Sequence, residues 1–306
     1  MKIAVLGSGG IGGFLGAALA RSGNDVSFIA RGNHLQTMRE QGLSVDSIAL
    51  GKFHVKVKAT DKPSDIGPVD LILFSVKSYD TEGALQGIRP LVGKDAVVLS
   101  FQNGVDNEDK IAEVLGKEHV LGGIISVESY ISEAGKIAQT MGPVRMAFGE
   151  LNGQITPRAK VVQEAFLKSG LKCELSDRIE QLLWEKLLFI SAAAGVCSVC
   201  RAPIGDVLDF EDTRELFIAV LKEVESVARA RGINLPADIV PRTLAMSEKM
   251  NKTTKPSMLR DLERGKRLEV DALTGAVSKF GHQLTVPTPA EDFIYACLKL
   301  QDQTRA

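Results

Sequence analysis

Apolar residues follow two regimes along this chain. In the first half they form short runs, at residues 2–6, 25–30, 69–76, 96–100 and 120–127, which read as strands buried on both faces. Between them lie segments of helical spacing, such as 14–21, and this alternation predicts a parallel sheet wound with helices. Residues 136–141 and 145–148 read as shorter strands closing the sheet, and 157–169 as a helix. From residue 179 the pattern becomes helical, with elements expected over 179–194, 212–231, 235–249, 257–280 and 289–301. The expected fold is an α/β N-terminal doubly wound sheet over residues 1–168, followed by an all-α C-terminal domain over 178–306. A cleft between two such domains is the default place for a small molecule.

The first strand runs directly into Gly7-Ser8-Gly9-Gly10-Ile11-Gly12, three glycines at G-x-G-x-x-G spacing where a helix begins. Alone this spacing is weak, but at a strand-to-helix turn it is the signature of a Rossmann-type dinucleotide site. Gly7 permits the tight turn, Gly9 lets backbone approach a pyrophosphate, and Gly12 lets helix pack on strand, with the helix N-terminus facing the phosphates. At the end of the second strand, where an acidic residue would hold the ribose hydroxyls of NAD, stands Arg31. A guanidinium there can pair with a 2′-phosphate, so NADP is the favoured cofactor; a solvated surface charge is the plain alternative. The strand at 69–76 likewise ends in a cation, Lys77, on the side that faces the ligand crevice, and the strand at 96–100 ends in the polar residues Gln102 and Asn103.

Composition narrows the class. A chain of 306 residues with 44% hydrophobic and 25% charged residues is ordinary for a two-domain globular enzyme. A formal net charge of −1 gives no electrostatic case for nucleic acid or anionic membrane. The apolar start lacks the long core of a signal peptide, and the apolar stretch at 187–200 is too short to span a bilayer, so a cytoplasmic location is expected. Four cysteines make no disulfide framework, and Cys197-Ser198-Val199-Cys200 lacks a second pair or a nearby histidine to complete a zinc site. The four histidines are scattered, and no metal is expected.

Two places in the helical half could carry chemistry. Lys186 lies in an apolar helix and shares a face with Ile190 and Ala194 at i, i+4, i+8. Either it snorkels to solvent, or it points into a cleft where desolvation tunes it for acid–base work. Farther on, Ser257 after Pro256 reads as an N-cap, and Met258, Leu262, Gly265 and Glu269 fall on one face of the helix it would start. A carboxylate on that stripe is either a surface ion pair or part of a site, and spacing alone favours the ion pair.

Taken together, Gly7 to Gly12, Arg31, Val76-Lys77, Gln102-Asn103-Gly104, Leu183-Trp184-Glu185-Lys186-Leu187, Ser257-Met258-Leu259-Arg260-Asp261, Glu269-Val270-Asp271 and Val286-Pro287 form an ordered set covering nearly the whole chain. On that set the chain resembles the ketopantoate reductase (2-dehydropantoate 2-reductase) family. The resemblance implies NADPH-dependent reduction of ketopantoate to pantoate, on the route to pantothenate and coenzyme A. It implies Lys186 as proton donor to the substrate carbonyl and Glu269 beside cofactor and substrate. Arg31 and Lys77 would hold the adenosine phosphate end of NADP, Asn103 would meet both ligands, and Ser257 would bind substrate. The chain departs from the family where asparagines commonly face the substrate: Ile190, Ala194 and Ile204 stand at those places. That departure opens a second reading, a reductase of a less polar 2-oxo acid. A non-catalytic NADP-binding sensor or scaffold would need only the N-terminal motifs, and the joint presence of Lys186, Glu269, Asn103 and Ser257 argues against it. The partner implied is a small 2-oxo acid, with a homodimer through the helical half left open.

Overall fold

The computed structural model describes residues 1–304. The α/β unit runs β1 (Lys2–Leu6), α1 (Gly10–Arg21), β2 (Asp25–Ile29), α2 (Gly32–Gln41), β3 (Leu43–Ser47), β4 (Gly51–Val55), β5 (Lys58–Thr60), β6 (Val69–Phe74), α3 (Thr81–Ile88), β7 (Val92–Ser100), α4 (Asn107–Leu115), β8 (Val120–Glu133), β9 (Lys136–Glu150), α5 (Pro157–Lys168) and β10 (Glu174–Leu175). These strands form one sheet in the order β4-β3-β9-β8-β7-β6-β1-β2-β5, with β10 beside β9. At its centre β6, β1 and β2 are parallel, with Leu6 opposite both Phe74 and Ile29.

Alternation along each central strand builds two cores. Ile3, Val5, Leu71 and Leu73 face one way, against Phe14, Leu15 and Leu19 of α1 and Phe166 of α5. Ala4, Leu6, Ile72 and Phe74 face the other, against Leu85 and Ile88 of α3 and Ile111 of α4. Burial of both faces is what a central parallel strand requires, and it explains why these segments are unbroken apolar runs.

Three segments differ from the sequence-based expectation. The pieces expected at 136–141 and 145–148 are one strand, β9, forming a long antiparallel hairpin with β8 through Ile131↔Ile137 and Gly123↔Phe148. Residues 43–60, for which no element was expected, supply β3, β4 and β5. Lys52-Phe53-His54-Val55-Lys56-Val57-Lys58 alternates strictly, the pattern of a strand wet on one face. The strand expected over 69–76 stops at Phe74.

The helical unit comprises α6 (Ile179–Cys200), α7 (Ile204–Asp209), α8 (Glu211–Ala230), α9 (Ile239–Glu248), α10 (Ser257–Glu263), α11 (Thr274–Leu284) and α12 (Pro289–Gln303). By internal contacts the compact units are residues 1–102 with 107–179, and residues 103–106 with 180–304 among those described. Helix α6 has 22 residues, longer than the apolar stretch that suggested it, and is long and apolar enough to cross a bilayer. It is a core helix instead, mostly buried, with every residue from Ser191 to Ser198 shielded from solvent.

The single helix expected over 257–280 is not formed. Helix α10 ends at Glu263, Gly265 adopts a left-handed φ of 66°, and irregular backbone continues to α11. The shared face of Met258, Leu262, Gly265 and Glu269 therefore does not exist. Ser257 is not the cap either: Pro256 holds the N-cap position with φ −56° and ψ 155°, and Ser257 is the exposed first residue of α10. Pro256 already fixes the extended conformation that a capping residue adopts, which moves Ser257 into the helix.

Candidate functional site

The carboxyl ends of β6, β1 and β2 lie side by side, and the glycine turn rises from the middle one. Gly7 has φ 97°, and a Cβ there would meet the Val76 amide nitrogen at 2.5 Å and the Ser75 carbonyl oxygen at 2.8 Å. A Cβ on Gly12 would collide with the Gly7 carbonyl and Ser75 Oγ, so the first turn of α1 can sit this close to β6 only as glycine. Gly9 is different: it is the N-cap of α1, and a Cβ there would meet nothing within 4 Å. Its side of the turn is an open cradle beside the amides that begin a 12-residue helix. Ser8 between them is buried, its Oγ donating to the Ile29 carbonyl at 2.9 Å, and Ser75 Oγ donates to the Gly7 carbonyl at 3.0 Å.

Two cations border this turn. Arg31 stands one residue beyond β2, in extended backbone (φ −139°, ψ 162°) at the N-cap of α2, with its side chain exposed. Lys77 follows β6 in extended backbone (φ −62°, ψ 145°) and is half-buried. Ile11 lies in the first turn of α1, partly buried. At the end of β7, buried Gln102 donates through Nε2 to the Val76 carbonyl at 2.9 Å and to Thr81 Oγ1 at 2.8 Å. Its Oε1 is buried without a hydrogen-bond partner. An open cradle at Gly9, helix N-terminal amides, two cations and an orphaned acceptor fit a dinucleotide with a phosphorylated end. Sequence reasoning assigned Gln102 no role, although it stands among the polar residues that close β7.

Asn103 follows Gln102 at a bend before Gly104 (φ 107°), and belongs to the compact unit of the helices. In that unit Lys186, Ile190 and Ala194 share one face of the continuous helix α6. Lys186 and Ile190 are half-buried and Ala194 is 4% exposed. Glu185, next to the lysine, turns the other way to Arg242 at 3.1 Å and Gln181 at 2.7 Å. Ile204 is 1% exposed and opens α7, its amide donating to the Thr254 carbonyl at 3.0 Å, three residues before Ser257. Glu269 is 7% exposed within the irregular segment between α10 and α11. Farther along, Thr274 packs on α6, where a Cβ at Gly195 would lie 3.1 Å from Thr274 Cγ2. Glu269 is thus a buried carboxylate in a bend and not a group on a helix surface.

The thiols of Cys173, Cys197 and Cys200 are poor nucleophiles. Burial pushes Cys197 up to about 12 and Cys173 to about 11, and raises Cys200. Among the described residues no cluster of His, Cys, Asp or Glu is placed to hold a metal ion.

The model of ketopantoate reductase PanE/ApbA matches residues 3–153, and that of ketopantoate reductase PanE/ApbA C terminal matches residues 178–302. The chain belongs to the ketopantoate reductase family. It is 31% identical to the uncharacterized oxidoreductase YkpB of Bacillus subtilis (strain 168), over 99% of both chains. The 2-dehydropantoate 2-reductase of Pyrococcus horikoshii is 30% identical, over 99% of this chain and 98% of its own. Among solved structures, the PanE/ApbA family ketopantoate reductase of Ralstonia eutropha JMP134 superposes with a TM-score of 0.92 at 31% identity, covering 100% of this chain and 99% of its own. The ternary structure of D-mandelate dehydrogenase with NADH and anilino(oxo)acetate has a TM-score of 0.90 at 26% identity, covering 100% of this chain and 99% of its own. The family is one of oxidoreductases, and the D-mandelate dehydrogenase that shares this architecture binds NADH.

Proposed function

We propose that this protein is a cytoplasmic NADPH-dependent reductase of a 2-oxo acid, with ketopantoate to pantoate, on the route to pantothenate and coenzyme A, as the leading reaction. The observation that carries this is Lys186, half-buried in the middle of the apolar helix α6, in a chain whose other end builds a dinucleotide turn. The bound nicotinamide would supply the hydride. Hydride arriving at a ketone carbon leaves a pair of electrons and a negative charge on the oxygen. The Lys186 ammonium stabilises that charge and then gives it a proton, so the carbonyl becomes a hydroxyl. Glu269, a buried carboxylate, would orient the lysine and accept from a substrate hydroxyl, while Asn103 and Ser257 would meet the substrate. Gly7, Ser8, Gly9, Gly10, Ile11 and Gly12 would hold the pyrophosphate, and Arg31 with Lys77 the 2′-phosphate end.

The decisive experiment follows NADPH oxidation with ketopantoate. Lys186→Ala should lower turnover by about two orders of magnitude or more while NADPH still binds, the usual worth of general acid catalysis. Turnover retained in that variant would assign the proton to another donor. A second reading, reduction of a less polar 2-oxo acid, is favoured by Ile190 on the face of Lys186, and by the likeness to a D-mandelate dehydrogenase.

A further inference from the structure

His34 lies in the first turn of α2, half-buried. Its Nε2 is 3.0 Å from the Ser8 carbonyl oxygen, and the Gly135 amide donates to its Nδ1 at 3.0 Å. An amide N–H can only donate and a carbonyl can only accept, so Nδ1 carries the lone pair and Nε2 the proton. The two partners select one neutral tautomer. Burial, which outweighs the Ser8 bond, lowers the pKa of this ring below 6.5. A second proton would set Nδ1–H against the Gly135 N–H, donor against donor.

Both partners belong to the frame of the glycine turn. Ser8 is the residue between Gly7 and Gly9. Gly135 (φ 71°) sits where β8 turns into β9, and a Cβ there would strike Thr37 Cγ2 of α2 at 2.5 Å. The same hairpin presses on the turn directly: a Cβ on Gly10 would collide with the Ser129 carbonyl, and one on Gly13 would lie 2.7 Å from Ile137 Cδ1. Because a trans peptide is planar, the Ser8 carbonyl and the Gly9 N–H point in opposite directions within one rigid unit. A ring that holds the carbonyl on one side therefore fixes the Gly9 N–H, which points the opposite way from the same peptide.

We propose that His34 is a positioning residue for the dinucleotide: its neutral ring bridges Ser8 to the β8–β9 turn and fixes the peptide that presents the Gly9 amide to the pyrophosphate. The proposal rests on the reading of residues 7–12 as a dinucleotide turn. Charged groups on the elements around the ring are Arg31 at the N-cap of α2, Arg39 and Glu40 within it and, on the hairpin, Glu128, the Glu133–Lys136 pair at 2.7 Å, Arg145 and Glu150; Tyr130 is the remaining titratable group there, and residues 7–13 contribute none. The protonation of the ring is set first by its burial, which favours the neutral form, and then by the Ser8 bond, which opposes it.

The test has two arms. Nitrogen-15 NMR of the cofactor-free protein should show the Nε2–H tautomer of His34 at neutral pH and a titration midpoint below 6.5, with the Gly135 and Gly9 amide signals shifting at that same midpoint. In fluorescence titrations at about pH 7.5, His34→Leu should weaken NADPH about tenfold, the scale of two lost hydrogen bonds acting through one peptide, and His34→Gln should recover most of it. A glutamine amide can accept from Gly135 and donate to Ser8 without titrating. Turnover at saturating NADPH should change far less than affinity. An Nδ1–H tautomer, a Gly9 amide indifferent to the titration, or NADPH affinity in His34→Leu equal to the unaltered protein would each overturn the proposal. Should His34→Leu not fold, the NMR arm and His34→Gln still decide it. Failure of the unaltered protein to bind either NADPH or NADH would overturn the dinucleotide reading and this proposal with it, an outcome distinct from equal binding by both forms.

Discussion

Arg31 is the residue on which the proposed choice of NADPH turns. It is exposed at the N-cap of α2, one residue beyond β2, with Ala30 before it and Gly32 after it, so no adjacent carboxylate is offered to a free ribose hydroxyl. NADPH should bind more tightly than NADH, and Arg31→Asp should weaken NADPH by about 1.4–2.7 kcal/mol, tenfold to a hundredfold in Kd, with NADH much less affected. Calorimetric titration of both cofactors checks this; equal affinities in the unaltered protein would return Arg31 to the solvated surface. The steric roles of Gly7 and Gly12 were readable in advance because each answers a local demand between a strand and the helix after it. His34 and Gln102 were not, because their meaning comes from partners distant in the chain: Gly135 is 101 positions from His34, and Val76 is 26 from Gln102. A lone histidine in a polar helix carries no periodic signal of such a bond.

Elements were legible where one physical requirement dominated. Central strands buried on both faces could only be apolar runs, and α6 could only be helical at its length. The helix expected over 257–280 failed because the apolar spacing continues through Gly265, while the backbone there turns left-handed. Spacing reports which residues want burial and is silent on whether the chain between them stays helical. Another feature of the helices also lies beyond periodicity: Glu291 of α12 is fully buried, accepting from Ser191 Oγ of α6 at 2.6 Å, with Oε2 lacking a partner. Burial raises its pKa from 4.5 to about 8 against the Ser191 bond, and the charges of Glu223 and Asp292 add to the rise. Glu223 is itself engaged, accepting from the Ala290 and Glu291 amides at 2.9 Å each. Above pH 4.5 the unfolded chain sheds a proton that the folded one retains, so this group costs about 1.4 kcal/mol of stability per pH unit up to about pH 8 and no more beyond. Glu291→Gln should flatten that slope and make the protein more stable than the unaltered form at pH 8, with the two converging towards pH 4.5. Urea unfolding followed across this range checks it; parallel pH profiles would show that Glu291 does not fold in its protonated form.

At the scale of the whole molecule the fold is that of the ketopantoate reductase family from one end to the other, so it does not by itself choose the substrate. Both a ketopantoate reductase and a D-mandelate dehydrogenase share this architecture over the full chain. The choice must lie in side chains, and of the three positions where asparagines commonly stand, burial separates one from the others. Ala194 and Ile204 are 4% and 1% exposed, packed as core residues, whereas Ile190 keeps part of its surface on the face it shares with Lys186. An apolar group there offers no partner to a substrate hydroxyl, at a cost of about 0.5–1.5 kcal/mol, and gains contact with an alkyl or aromatic tail. Across a panel of 2-oxo acids with NADPH, ketopantoate should therefore show less than about tenfold advantage in kcat/KM over its analogue lacking the hydroxyl. Ile190→Asn should widen that advantage towards ketopantoate with little change in NADPH affinity. A strong preference for ketopantoate over the deoxy analogue in the unaltered protein, left unmoved by Ile190→Asn, would place hydroxyl recognition on another residue and remove the case for a less polar substrate.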